Sequence, residues 1–353
     1  MKGQLLKALV FHGIEDLRIE ETEIPEIGDF EALLKVRAAA ICGSDIRVKA
    51  SGHKSIPEGS TRILGHEMAG EIIKTGSKVR NLKPGDRIAL APVAGCGYCR
   101  QCLRGNATLC STSTVMGHSI NGSFAEYVKI PESYVLGGNC FILPDGFSFE
   151  IAALAEPLAT VFSSLEMCSF KPSDIILIIG AGPIGLMHVV LSKMFGAQRI
   201  ILSEVSGQRR DMAKAFGADV IVNPLEDDLK KRVYDESFGR GADVVIIAAG
   251  SPQAQEQSLR LAATGGTINF FGTIPTGQEK ITIDSNLIHY RNLKVLGMTG
   301  TSVLNFFRTM ELLISKKINM ESFISGKFAL EDFSLAFERA KLATSLKILF
   351  VMG

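Results

Sequence analysis

Ile175-Ile176-Leu177-Ile178-Ile179-Gly180-Ala181-Gly182-Pro183-Ile184-Gly185 is the stretch that decides the fold of this chain. Five consecutive apolar residues, rich in β-branched side chains, read as a strand buried on both faces. The Gly-x-Gly-x-x-Gly that follows leads straight into a helical stretch, Pro183–Phe195. Alone the glycine pattern is weak; between a strand and a helix it has a physical purpose. Gly180, Gly182 and Gly185 permit the tight turn, the close approach of a pyrophosphate and the packing of helix on strand. Pro183 and Ile184 open a helix whose N-terminus favours the anion. Glu204 follows the next strand, Ile200–Ser203, and lies 24 residues after Gly180. A carboxylate there accepts hydrogen bonds from the adenosine ribose and repels a 2′-phosphate, which favours NAD over NADP. A solvated strand-end carboxylate would look the same in sequence. Arg209 and Arg210 are of the type that accepts a ribose phosphate.

Outward from this unit the rhythm continues. Helical Gln208–Phe216, strand-like Val220–Val222, a helix near Glu226–Phe238 and strand-like Val244–Ala248 come first. A helix near Pro252–Ala262, then Thr267–Phe271, follow, with Leu293–Leu296 as a sixth strand. This alternation predicts an α/β fold, a doubly wound parallel sheet with helices on both faces. Residues 1 to about 150 differ in texture. Runs such as Leu33–Val36, Met68–Lys74 and Arg87–Ala91 alternate with punctuation such as Lys83-Pro84-Gly85-Asp86, and predict a β-rich domain. From about Gly297 the chain is too short to fold alone and is expected to return to the first domain. The expected domains are 1-157 with 297-353, and 158-296 between them.

Composition narrows the partners. The 353 residues suffice for two domains, and 46% hydrophobic with 21% charged residues is a folded, globular profile. Lys+Arg 38 against Asp+Glu 37 leaves a net charge of +1, so no basic excess points to nucleic acid. Apolar runs such as Ile175–Ile179 are far too short to span a bilayer, and the first residues carry no apolar core of a secretory leader. A cytoplasmic protein, without membrane or nucleic-acid partner, is expected.

Four of the seven cysteines, Cys96, Cys99, Cys102 and Cys110, fall within fifteen residues. Thiolates are soft ligands, and four on one lobe close a tetrahedral zinc shell that rigidifies a loop and leaves no open position. Gly65-His66-Glu67-Met68-Ala69-Gly70 starts like a metalloprotease helix, but the second histidine is absent. With Cys42-Gly43-Ser44-Asp45 it offers a thiol, an imidazole and carboxylates, the makings of a mixed zinc site with an exchangeable position. Glu156 sits at the junction of the two textures. Taken singly, His66 reads equally as a core histidine and Glu156 as a helix-start acid.

In order, these motifs resemble the zinc-containing medium-chain alcohol dehydrogenase family over essentially the whole chain, Gly76 and Val79 of the Gly-His-Glu signature included. The resemblance implies a GroES-like catalytic domain, a Rossmann domain, an active site between them, and a homodimer or homotetramer. It makes Cys42 and His66 ligands of a catalytic zinc, with Glu67 and Glu156 at the remaining ligand positions, as in the sorbitol, butanediol and threonine dehydrogenase branch. The four-cysteine lobe then holds a second, structural zinc. Ser44 matches the hydroxyl that passes on the substrate proton, Asp45 a partner of His66, and Lys347 a basic residue near the cofactor phosphates. Arg47 stands where the family often has a relay histidine; arginine is no base at neutral pH, so it serves the substrate or the proton leaves another way. The aromatic–arginine pair of animal sorbitol dehydrogenases is missing around Met298-Thr299-Gly300. The expected substrate is a small polar alcohol, with a polyol leading and a threonine-type amino alcohol or sugar-alcohol phosphate as alternatives. A basic loop of Arg47, Lys49, His53 and Lys54 bears on the last. A zinc-stapled nucleotide-binding protein without turnover would be expected to lack a catalytic ligand, and none is missing. His53 and His118 lie in loops that either line the pocket or face solvent.

Overall fold

The computed structural model describes residues 4–353. They form two compact units, one running through Ala159 and resuming at Gly300, the other spanning Thr160–Thr299.

The first unit is built on a seven-stranded sheet. Its path runs Cys140–Ile142, Arg87–Leu90, Glu67–Thr75, Ala32–Ala40, Lys347–Val351 and Ile324–Phe328, with Tyr127–Ile130 also paired to Ala32–Ala40. A three-stranded sheet of Asp16–Glu23, Leu5–Gly13 and Arg62–Ile63 stands beside it in sequence. The last strand of the chain therefore lies against Ala32–Ala40, a pairing of very long sequence separation. Its anchor is aromatic: Phe124 meets Phe350 edge-on at 5.1 Å and Phe337 at 6.3 Å, and all three are buried.

The second unit holds six parallel strands in the order Val220–Val222, Arg199–Ser203, Ile175–Ile179, Ala242–Ile247, Ala262–Phe270 and Lys294–Gly297. This is the doubly wound order, with its switch point between Ile175–Ile179 and Ala242–Ile247. Ile175–Ile179 is buried along its whole length, as five apolar residues between helical layers require. Two expected helices are shorter than the pattern suggests. The one near Glu226–Phe238 is Leu229–Glu236, because the Asp228 side chain caps the Lys231 amide and starts it late. The one from Pro252 ends at Ser258, and Ala262 already pairs with Ala242 in the sheet. No helix among the described residues is long and apolar enough to cross a membrane.

Candidate active site

Cys42 is the N-cap of the helix Gly43–Ser51. Its amide donates to Asp45 Oδ2 at 2.9 Å, the return bond of a capping box, so a fully buried carboxylate is tied into the first turn. The positive end of the helix suits an anionic sulfur. His66 comes from the turn before the strand Glu67–Thr75. There Gly65 adopts φ +92°, and a Cβ would run into the Phe124 ring and the Ser123 hydroxyl. His66 Nε2 lies 3.4 Å from Ser44 Oγ, while Nδ1 faces Asp45 Oδ1 at 3.6 Å. Neither Nδ1 nor that oxygen has a hydrogen-bond partner among the described residues.

Strand register brings in the rest. Ala40 is opposite both Glu67 and Leu349, so the start of the last strand comes level with the start of the Gly-His-Glu strand. Lys347 Nζ lies 2.7 Å from Glu67 Oε1 and 2.6 Å from Oε2 and donates to the Ile41 carbonyl at 3.0 Å. Only the Oε1 contact has hydrogen-bond geometry, so Oε2 keeps a lone pair directed elsewhere. Glu67 and Lys347 are both buried. Instead of standing free for cofactor phosphates, Lys347 is the counter-charge of Glu67.

Cys42, His66 and Glu67 each place one ligand atom within 4.8 Å of the others. Glu156, in the first turn of Ala155–Met167, is outside that triad but buried, and it shares the electrostatic field of His66, Glu67, Lys347 and Asp45. Burial pushes its carboxyl up to about 7, with Glu67 and Asp45 adding to the push. Burial works against charge on His66, yet Asp45, Cys42 and Glu156 outweigh it and raise its proton affinity well above the ordinary value. Three buried carboxyl groups and a thiol around one imidazole and one lysine are short of positive charge, and their donor atoms suit zinc.

The cysteine lobe fits a second ion. Cys96, Cys99, Cys102 and Cys110 are free thiols whose sulfurs lie within 4.8 Å of one another. Cys96 and Cys102 Sγ are 4.0 Å apart, near the edge of about 3.8 Å that Zn–S bonds of about 2.3 Å give a tetrahedron. Main-chain amides of Cys96, Cys99 and Cys102 donate to the sulfurs of Cys110, Cys96 and Cys99. The Thr112 hydroxyl and the Cys96 amide hold Cys110 down to about 6.

In the second unit Gly180 has φ +105°, and a Cβ on Gly185 would overlap the Gly180 carbonyl, while a Cβ on Gly182 would meet nothing. The helix Pro183–Met194 begins without a side-chain cap, leaving its first amides for an anion, and Pro183 and Ile184 are half-buried there. Glu204 is buried; Oε2 accepts the Ala181 amide at 2.7 Å and Oε1 the Ser206 amide at 2.9 Å. The carboxylate thus clamps the glycine turn to the strand end. Arg210 donates to the carbonyls of Glu204 and Val205, and Arg209 is half-buried on the helix Gly207–Phe216.

Two domain models of known protein families match the chain. Residues 28–139 match the alcohol dehydrogenase GroES-like domain, and residues 183–316 the zinc-binding dehydrogenase domain. The L-threonine 3-dehydrogenase of Pyrococcus horikoshii is 33% identical over 340 residues, 94% of each chain. The sorbitol dehydrogenase of Bacillus subtilis is also 33% identical over 340 residues, 96% of this chain and 94% of that one. A Sinorhizobium meliloti protein assigned as a zinc-binding dehydrogenase, solved bound to NADP, superposes with a TM-score of 0.90 at 31% identity, covering 99% of this chain and 100% of that one.

The chain belongs to the zinc-containing medium-chain alcohol dehydrogenase family.

As a member of that family it is an oxidoreductase of CH–OH donors that uses zinc and a nicotinamide dinucleotide. Of the expected site residues, Cys42, Ser44, His66 and Glu67 gather at one helix start and strand end. Arg47 is exposed on the same helix and has no carboxylate partner among the described residues. Lys49 drops out of the basic loop, because it pairs with Glu15. His118 is a neighbour that sequence reasoning left open. Its ring lies 5.2 Å from that of His66, and it stacks on His53 at 4.6 Å. Burial, with His66, His53 and Arg47 disfavouring a further positive charge beside them, holds His118 down to about 3, so it is neutral at ordinary pH. No periodicity marks a loop histidine, and only the fold shows which side of the loop it faces.

Proposed function

We propose that the protein oxidises a secondary hydroxyl of a polyol or sugar alcohol, with NAD as hydride acceptor and two zinc ions per chain. The observation that carries this reading is the group of half-buried Cys42 with buried His66 and Glu67, and Glu156 in the same field. It is a one-thiol, carboxylate-rich ligand set with oxygen donors that exchange readily with water. When bound, zinc supplies Lewis acidity toward the hydroxyl oxygen and NAD accepts the hydride. The chain's own residues do the rest. Ser44 Oγ takes the substrate proton onward, and Asp45 orients His66 from behind. Lys347 supplies the counter-charge of Glu67 in a buried place. Arg47 faces substrate, since no base is available at that position.

In the second unit Gly180, Gly182, Pro183, Ile184 and Gly185 cradle the pyrophosphate, and Glu204 with Arg209 addresses the ribose. The preference for NAD rests on the charge of Glu204; the NADP-bound neighbour marks the competing outcome. A second reading, a threonine-type amino alcohol or a sugar-alcohol phosphate, is favoured by the exposed Arg47, without a carboxylate partner among the described residues, and by the threonine dehydrogenase relative. The chain is proposed to act in the cytoplasm as a homodimer or homotetramer.

A screen of NAD reduction across polyols, diols, sugar phosphates and threonine tests the reading. Highest kcat/KM on a polyol or diol is expected, and C42A or H66A should abolish turnover while NADH still binds. Turnover confined to threonine or to a phosphorylated alcohol would replace the polyol reading with the second one.

A further inference from the structure

The pair His53–His118 is outside the proposed ligand set, yet it is built against it. The rings stack at 4.6 Å with 25° between their planes, and His118 stands 5.2 Å from His66. Nε2 of His118 is buried and has no hydrogen-bond partner among the described residues. Such an atom costs free energy unless something outside the chain pairs with it. His53 is itself held, since its Nδ1 accepts the Ser55 amide at 3.2 Å. That bond fixes the tautomer of the ring on which His118 rests. A neutral imidazole offers one donor and one acceptor, the pairing set of a hydroxyl group. An alkyl group at this point would leave the buried nitrogen unpaired.

We propose that His118 binds the hydroxyl on the carbon next to the one oxidised, with His53 as its positioning residue, so that the pair selects vicinal diols and polyols over monoalcohols. This rests on the function proposed above and names the specificity side of the same site. The discrimination is expected to be steep. A site built to hydrogen-bond a hydroxyl rejects the analogue that lacks it far more strongly than an apolar pocket distinguishes one methylene.

The test compares 2,3-butanediol with 2-butanol, which differ by one hydroxyl, on zinc-loaded protein saturated with NAD. Wild type should prefer the diol. His118→Phe keeps a ring and removes both nitrogens; the ratio of kcat/KM for diol to monoalcohol should fall about tenfold or more, chiefly through a raised KM for the diol. His118→Asn keeps a donor and should recover part of the ratio, and His53→Ala should lower it to a lesser degree. Zinc content and the Kd for NADH, measured on each variant, show that the protein is folded and loaded. An unchanged ratio overturns the proposal. So does an equal loss on both alcohols, which would mean that His118 serves the His66–Asp45 pair and not the substrate. A wild type that binds zinc and NADH but oxidises neither of these alcohols, nor any polyol or diol of the screen above, is a different failure. It removes the function proposed above, and this inference with it.

Discussion

Lys347 and Glu204 are the residues whose partners change most between sequence and structure. Lys347 is a buried cation whose charge is held in place by Glu67, and burial alone would drive its proton off. In zinc-free protein, replacing it with Met should leave Glu67 buried without its counter-charge, at a cost of about 3–5 kcal/mol in denaturant unfolding. Adding Glu67→Gln should return part of that loss, because the two residues form one unit. A small loss in the single variant would mean that Glu67 is solvated. Glu204 carries two backbone bonds that tie Ala181 and Ser206 together. Glu204→Ala should therefore weaken NADH binding, roughly tenfold by fluorescence titration, through loss of the clamped turn as well as of a ribose acceptor. It should also narrow the gap to NADPH, since repulsion of the 2′-phosphate disappears. Equal use of both cofactors by wild type would sink that assignment.

At the scale of elements, the helix that opens the dinucleotide site carries its own pH limit. His188 is fully buried on Pro183–Met194; Nδ1 meets the Ile184 carbonyl at 2.9 Å and Nε2 the Ser164 hydroxyl at 2.9 Å. The Asn269 amide donates to the same hydroxyl, which joins this helix to Ala155–Met167 and to the strand Ala262–Phe270. Burial pulls His188 down from 6.5 to about 4. Above pH 6.5 the ring is neutral in both states, and the network contributes in full. As pH falls below 6.5, the unfolded chain takes a proton that the folded chain refuses until about pH 4. Stability is thus lost through that window, approaching roughly 3 kcal/mol. His188→Gln should flatten this part of the stability–pH curve. A wild-type curve already flat there would show that His188 is hydrated.

For the molecule as a whole, the prediction is metal content. Two zinc ions per chain are expected in fully loaded protein, one in an all-sulfur shell and one in a mixed shell, distinguishable by X-ray absorption. Cys99→Ser should remove the first and lower stability, with the cofactor affinity little changed, because a closed shell has no position for ligand. A single zinc in fully loaded wild type would refute the assignment. The six parallel strands contain none of these ligands, so binding of NADH should survive chelation. Failure of the zinc-free protein to bind NADH would show that the Thr160–Thr299 unit depends on the metal.

What the sequence determined by itself is local in origin. The strand Ile175–Ile179 and its glycine turn depend on side-chain size and φ over eleven residues, and the cysteine lobe on ligands close in sequence. Both were legible because neighbours along the chain are neighbours in space. Cys42, His66 and Glu67 were grouped by ligand chemistry and the family resemblance and not by spacing, since the first two lie 24 positions apart. Tertiary structure alone decided the rest. Lys347 reaches Glu67 because Ala32–Ala40 is flanked by two strands 280 residues apart, a register that no local pattern encodes. Lys49 is spent on Glu15, and the Glu204 oxygens on two amides, for the same reason: hydrogen bonds and ion pairs are settled by what packing brings within reach. His118 is the sharpest case. In sequence it is a loop residue like any other; the fold turns it toward His66 and leaves its buried nitrogen without a partner among the described residues.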